Sequence, residues 1–205
     1  MPIEDENEMG ISIVKLIKRL NLDADYSRLF RDAFGQVPNG YNIPRALSSY
    51  IRTLISFDSP YDHFISGDST AMTTSQIRGK DLFYSDRLNC SSCHTGVHFT
   101  NQGFENNGLY ESYSDLGRAL ITLDKKDVGK FRVPSLRNVA MTAPYMHDGN
   151  ITSLHDVIDH YQNGLSHHAN QSPLLKSFSL REMERADLVS FLEALTGEAA
   201  QTAAY

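Results

Sequence analysis

Two thiols and an imidazole fall within five residues at Cys90-Ser-Ser-Cys93-His94, and the chain has no other cysteine. That spacing is what covalent attachment of a c-type haem requires: the two sulfurs add to the two vinyl groups of one porphyrin as thioethers, and the adjacent imidazole binds the iron. The motif therefore predicts one covalent haem, with His94 as its first axial ligand. Two other chemistries use the same residues. A redox-active dithiol wants a βαβ context, which the flanking sequence does not supply. A zinc site could recruit Cys90, Cys93, His94 and His98, yet no second ligand pair follows at a regular spacing.

A six-coordinate iron needs a second axial ligand, and the downstream candidates are Met141, Met146, His147, His155, His160, Tyr161, His167 and His168. Ser153 and Asp156 read as a capping-box-like helix start, after which Leu154, Val157, Ile158 and Tyr161 recur at i, i+3, i+4 and i+7. Tyr161 thus shares the buried stripe. His155, Asp156, Asp159 and His160 face elsewhere, where Asp156 and His160 can pair, and both histidines read as solvated. His167 and His168 follow Gly164 in a polar loop and also read as exposed. A buried Tyr161 fits a core aromatic with a hydrogen-bonded hydroxyl as well as it fits a ligand.

The elements that must position these residues belong to a chain of 205 residues, 40% apolar and 21% charged, which describes an ordinary soluble globular protein. A formal charge of −6 and the absence of a basic run exclude non-specific nucleic-acid binding. The acidic start Met-Pro-Ile-Glu-Asp-Glu-Asn-Glu has neither the basic nor the apolar region of a signal peptide. Ile11–Leu20 is interrupted by Lys15, Lys18 and Arg19, so it reads as an amphipathic helix, and no stretch reaches membrane-spanning length.

Residues 9–57 read as short helices. Asp23 or Asp25 caps one that runs to Phe34 and ends at Gly35, with Pro38-Asn39-Gly40 as the turn after it. Pro44 suits the first turn of the next, where Leu47, Ile51, Leu54 and Ile55 form a stripe expected to be core. Turn formers at 58–62 and 66–70 mark a joint. Beyond it, Ser75–Phe83 reads as a helix leading into the haem motif. Leu180–Leu195 reads as a final helix with Met183, Leu188, Phe191, Leu192 and Leu195 on its apolar face. These are the parts a small cytochrome needs to sandwich a flat macrocycle. Thr95–Lys130 has weak periodicity and is expected to lie against the haem edge or a partner domain. The Gly197–Tyr205 end is expected to fray.

The segment Phe131-Arg-Val-Pro134-Ser-Leu-Arg137-Asn-Val-Ala-Met-Thr142-Ala-Pro144-Tyr-Met-His147-Asp-Gly149 resembles the stretch after the second haem motif of bacterial di-haem cytochrome c peroxidases and MauG-type enzymes. Gly79-x-x-Leu82-Phe83, Cys90-x-x-Cys93-His94-x-Gly96 and Leu188–Thr196 extend the resemblance over most of residues 70–197. Phe30-Arg-x-Ala-Phe34-Gly and Ile51-Arg-Thr-Leu-Ile-Ser-x-Asp58-Ser-Pro-Tyr-Asp62 extend it into the arm.

The resemblance implies a mainly α fold: a helical arm over 1–70, then a cytochrome c-like domain over 71–205 with one covalent c-type haem. It makes His94 the proximal ligand of the haem that passes electrons. It places the distal ligand in the following helix, where peroxidases have methionine and MauG-type enzymes tyrosine; Tyr161 falls there, with Met146 as the alternative. It implies a calcium ion held partly by the backbone carbonyls of Thr142 and Pro144, and places Arg137 near the haem propionates.

The family's first haem motif, its catalytic acid/base residues and the tryptophan between its haems belong to an N-terminal domain. This chain has one such motif and no Trp, so it resembles the C-terminal half alone, which would also account for the absent signal peptide. The implied function is the electron-transfer part of a hydrogen-peroxide-reducing or MauG-like oxidoreductase in the bacterial periplasm, with no catalytic residue in this chain. Its implied partners are a second haem domain or chain and an electron donor such as a small cytochrome or copper protein. The alternative is a mono-haem carrier acting alone.

Overall fold

Helix starts and stops are written locally in this chain, and the computed structural model, which describes residues 2–197, shows them in use. The carboxylate of Asp23 accepts the backbone N–H groups of Asp25 and Tyr26, separating α1 (Ile13–Leu22) from α2 (Ala24–Phe34). Gly35, at φ +69°, ends α2 by donating its N–H to the Arg31 carbonyl. The buried Asn42 opens α3 (Asn42–Thr53), and its amide holds the preceding turn through Asn39 N and Val37 O. Ile3, Phe30 and Ile43 form the core of this first unit, which ends at Ile55.

One expectation fails here. Leu47, Ile51, Leu54 and Ile55 are exposed, Ile51 by 63% and Ile55 by 66%. The residues of α3 that pack onto the unit's core are Ile43 and Ala46, which leaves the longer stripe outside it. Helix α3 also stops at Thr53, before Leu54 and Ile55.

The second unit starts at Ser56, earlier than the expected joint at 70. It holds α4 (Pro60–Ile65), α5 (Thr74–Phe83), β1 (Phe104–Glu105), α6 (Ala119–Thr122), β2 (Phe131–Arg132), α7 (Leu154–Asn163) and α8 (Glu182–Glu193). Three polar ties hold residues 56–62 to the rest of the unit. Tyr61 N donates to Ala194 O at 3.1 Å. Asp62 pairs with Arg137 at 2.5 Å. Ser56 Oγ bonds the side chain of Asn138, whose Oδ1 also accepts Gly197 N at 3.0 Å.

Helix α5 begins with a capping box between Thr73 and Gln76 and lies directly on α8. Their contact is so close that a Cβ on Gly79 would fall 1.9 Å from the Asp187 carbonyl oxygen. Arg78 grips the Asp187 carboxylate at 2.6 and 2.7 Å, and Ser75 donates to it as well. Around this pair the core gathers Phe83, Phe99, Leu188, Phe191, Leu192 and Leu195. Met183 is not part of it; at 62% exposed it lies outside the buried face of α8.

Strands β1 and β2 pair antiparallel, Phe104 opposite Arg132 and Glu105 opposite Phe131. With α6 and a 3-10 turn at Lys125–Asp127 they give the weakly periodic stretch a defined path. The fold is thus mainly α, with strands of two residues each. No helix among the described residues is long and apolar enough to cross a membrane. The end of the chain beyond Gly197, expected to fray, lies outside the described residues.

Candidate functional site

Asn89 takes a left-handed conformation at φ +59° and starts a 3-10 turn over Cys90–Ser92. His94 N then donates to Cys90 O at 3.0 Å, closing the turn. Cys90, Cys93 and His94 all line one cavity of about 590 Å³, within the roughly 300–1,000 Å³ usual for cofactor sites. Its walls are largely apolar, with Phe83, Leu136, Val139, Ile158, Phe178 and Leu192 among them.

His94 Nδ1 lies 3.0 Å from the Phe99 carbonyl. A carbonyl can only accept, so Nδ1 carries the proton and Nε2 keeps a free lone pair, the tautomer of a metal-binding histidine. Burial lowers the His94 pKa and keeps the ring neutral. Burial also pushes the Cys90 thiol up to about 12 and that of Cys93 up to about 11, opposite to the lowered pKa of a reactive dithiol. Among the described residues no group of three or more His, Cys, Asp or Glu side chains is assembled to hold a metal ion. His98 stands instead 5.4 Å from the Phe57 ring. The donor set and the apolar walls fit a covalently held porphyrin better than zinc.

Both residues favoured for the second axial position reach this cavity. Tyr161 lines it from α7, its hydroxyl pushed up to about 12 by burial, against a hydrogen bond with the Asn107 side chain that acts the other way. Met146 lines it from a turn closed by the Tyr145–Ile151 bridge and sits at φ +71°. His147 also lines the cavity, stacked on Phe131 with ring centres 3.9 Å apart. Met141, His155 and His167 are exposed, and His168 Nδ1 accepts the Asn170 N–H.

His160 differs from its expected solvation: it is only 8% exposed, and its Nε2–H donates to the Asn107 carbonyl at 3.0 Å. That carbonyl comes from the 104–110 stretch, so helical position alone could not reveal it. The expected pairing partner, Asp156, instead bonds Ser153 at the helix start.

Thr142 and Pro144 line the cavity, and neither carbonyl accepts a backbone hydrogen bond among the described residues. Arg137 does not line it. The buried Asp62 carboxylate captures its guanidinium, which also donates to Val97 O and lies over the rings of Phe57 and Phe99. Burial alone would raise the Asp62 pKa, but hydrogen bonds from Arg137 and Ser59 hold it below the ordinary 3.8. The lysine and arginine that do line the cavity are Arg132 and Lys176. They and Asn107 were not legible in the sequence, because nothing local marks which polar residues of a loop face a cofactor.

An adjacent thiol pair, a neutral imidazole with a free nitrogen and an apolar cavity between helices define a c-type cytochrome domain. The cytochrome c family model matches residues 76–196, and the model described as di-haem cytochrome c peroxidase matches residues 1–70. The methylamine utilization protein MauG of Methylorubrum extorquens is 38% identical over 98% of this chain and 57% of its own length. A cytochrome-c peroxidase of Pseudomonas sp. strain SCT is 37% identical over 87% of this chain and 55% of its own. A crystal structure of a MauG-like protein associated with microbial copper homeostasis superimposes with a TM-score of 0.83 at 36% identity, over 96% of this chain and 66% of that one. The chain belongs to the cytochrome c family, in its di-haem cytochrome c peroxidase and MauG group, and spans a little over half the length of those two curated relatives.

Proposed function

We propose that this chain is the electron-transfer portion of a di-haem cytochrome c peroxidase or MauG-like oxidoreductase. The observation that carries the reading is the convergence of Cys90, Cys93, His94 and Tyr161 on one apolar cavity. Cys90 and Cys93 would hold the haem as thioethers, with His94 Nε2 on the iron and Tyr161 on the second axial position. When bound, the haem supplies one-electron exchange at a potential its axial ligands tune. The Phe99 carbonyl orients His94, and the apolar wall excludes water. A tyrosine oxygen favours the ferric state and a lower potential, whereas the sulfur of Met146 would favour the ferrous state. Tyr161 therefore suits a site that stores an oxidising equivalent.

Peroxide chemistry and the supply of electrons would lie outside this chain. Hydrogen peroxide would be reduced at a second haem domain or chain, with electrons drawn from a small cytochrome or copper protein, in the periplasm. A calcium ion would take the carbonyls of Thr142 and Pro144 and complete its shell from beyond this unit. Arg132 and Lys176, which line the cavity, would offset carboxylate charge at the haem edge.

Expression in a host competent in cytochrome c maturation tests the reading. The purified chain is expected to be coloured, with an intact mass raised by one haem that is lost in Cys90→Ala/Cys93→Ala. Alone it should show no peroxidase turnover beyond that of free haem, and a partner chain carrying a second haem should restore turnover. A colourless product with the bare polypeptide mass defeats the proposal. A haem-loaded chain that no such partner activates would instead be a mono-haem carrier.

A further inference from the structure

Asn107 has no role in the reading above, yet it touches both α7 and the Met146 turn at the cavity. Its backbone carbonyl accepts His160 Nε2–H from α7 at 3.0 Å. Its side-chain Nδ2 donates to the sulfur of Met146 at 3.1 Å, and Tyr161 follows His160 directly on α7. One residue thus holds Met146 by its side chain and the turn of α7 that bears Tyr161 by its backbone, and it lines the cavity itself.

The amide is firmly placed. Its neighbour Asn106 is fully buried, and its Oδ1 accepts the Gly108 N–H at 2.8 Å and the Tyr113 hydroxyl at 3.1 Å. The Asn106 carbonyl takes the Ser172 N–H at 2.9 Å. On the other side, the turn bearing Met146 is fixed by the exchange of backbone hydrogen bonds between Tyr145 and Ile151. Asn107 therefore meets the Met146 side chain with both backbones fixed.

A thioether sulfur has only lone pairs to offer, and a donor N–H directed at it competes with a metal for them. We propose that Asn107 is a positioning residue that selects the second axial ligand, tethering the sulfur of Met146 and leaving the iron to Tyr161. This inference rests on the haem placement proposed above.

The test uses the haem-loaded full chain and reads the ferric spectrum, including the near-infrared sulfur-to-iron charge-transfer band. Wild type and Met146→Leu are expected to share one spectrum without that band. Asn107→Leu is expected to gain the band, and Asn107→Leu/Met146→Leu to lose it again. A merely structural role for Asn107 would not produce a band that depends on Met146.

An Asn107→Leu spectrum identical to wild type overturns the proposal, as does a changed spectrum without the sulfur band. If Asn107→Leu does not accumulate, Asn107→Asp, which keeps the shape and loses the N–H donors, gives the same readout with the same two outcomes. Failure of the underlying ligand reading shows elsewhere: Tyr161→Phe would then leave the wild-type spectrum unchanged.

Discussion

Asp62 and Arg137 form a buried ion pair between residues 75 positions apart in sequence. Removing one partner of such a pair strands the other charge away from water, at a cost of roughly 3–5 kcal/mol. Arg137→Ala is therefore expected to lower stability by about that amount in urea unfolding followed by circular dichroism. The pH dependence has a definite sign. Because the folded pKa of Asp62 lies below its ordinary value, the contribution is complete at neutral pH and disappears as pH falls through the folded value, below about 4. Asp62→Asn should remove that acid dependence and flatten the plot of stability against pH there. The Cys90, Cys93 and His94 motif was legible because its chemistry depends on local spacing, while the Asp62 partnership and the Asn107 contacts depend on chain returning from far away.

Helix α5 crosses α8 at a point where backbone meets backbone. Adding a methyl group at Gly79 would place a carbon 1.9 Å from the Asp187 carbonyl oxygen, far inside van der Waals contact, so Gly79→Ala must separate the two helices. The expected loss is about 3 kcal/mol or more, at the upper end of overpacking effects, read as a shift in the urea midpoint. Helix ends were legible for a related reason: the Asp23 cap and the Gly35 stop act on residues within four positions of themselves. Faces were less so. Periodicity found the stripe of α3 but could not say that Ile43 and Ala46 would serve the unit's core. The same limit applies to Met183 on α8 and to His160, whose carbonyl partner lies 53 positions away.

The whole chain divides at Ile55, yet the joint read from turn formers falls near 70, where the two family models also meet. Residues 56–70 carry Asp62, Tyr61 and Ser56, which bind Arg137, Ala194 and Asn138. A haem-loaded fragment 56–205 is therefore expected to unfold cooperatively, and one starting at 71 to unfold at a clearly lower denaturant concentration. In the first unit, the exposed Leu47, Ile51, Leu54 and Ile55 make an apolar surface of the kind that promotes association. Ile51→Glu/Ile55→Glu should shift the sedimentation of the full chain toward monomer. One amide, that of Asn138, bonds both Ser56 and Gly197, so the second unit closes on itself at a single residue. Ser56 and Gly197 are near enough for a short linker to splice them head to tail. New termini opened at the exposed Leu123–Asp124 link after α6 would give a circularly permuted cytochrome with its haem-bearing turn in mid-chain.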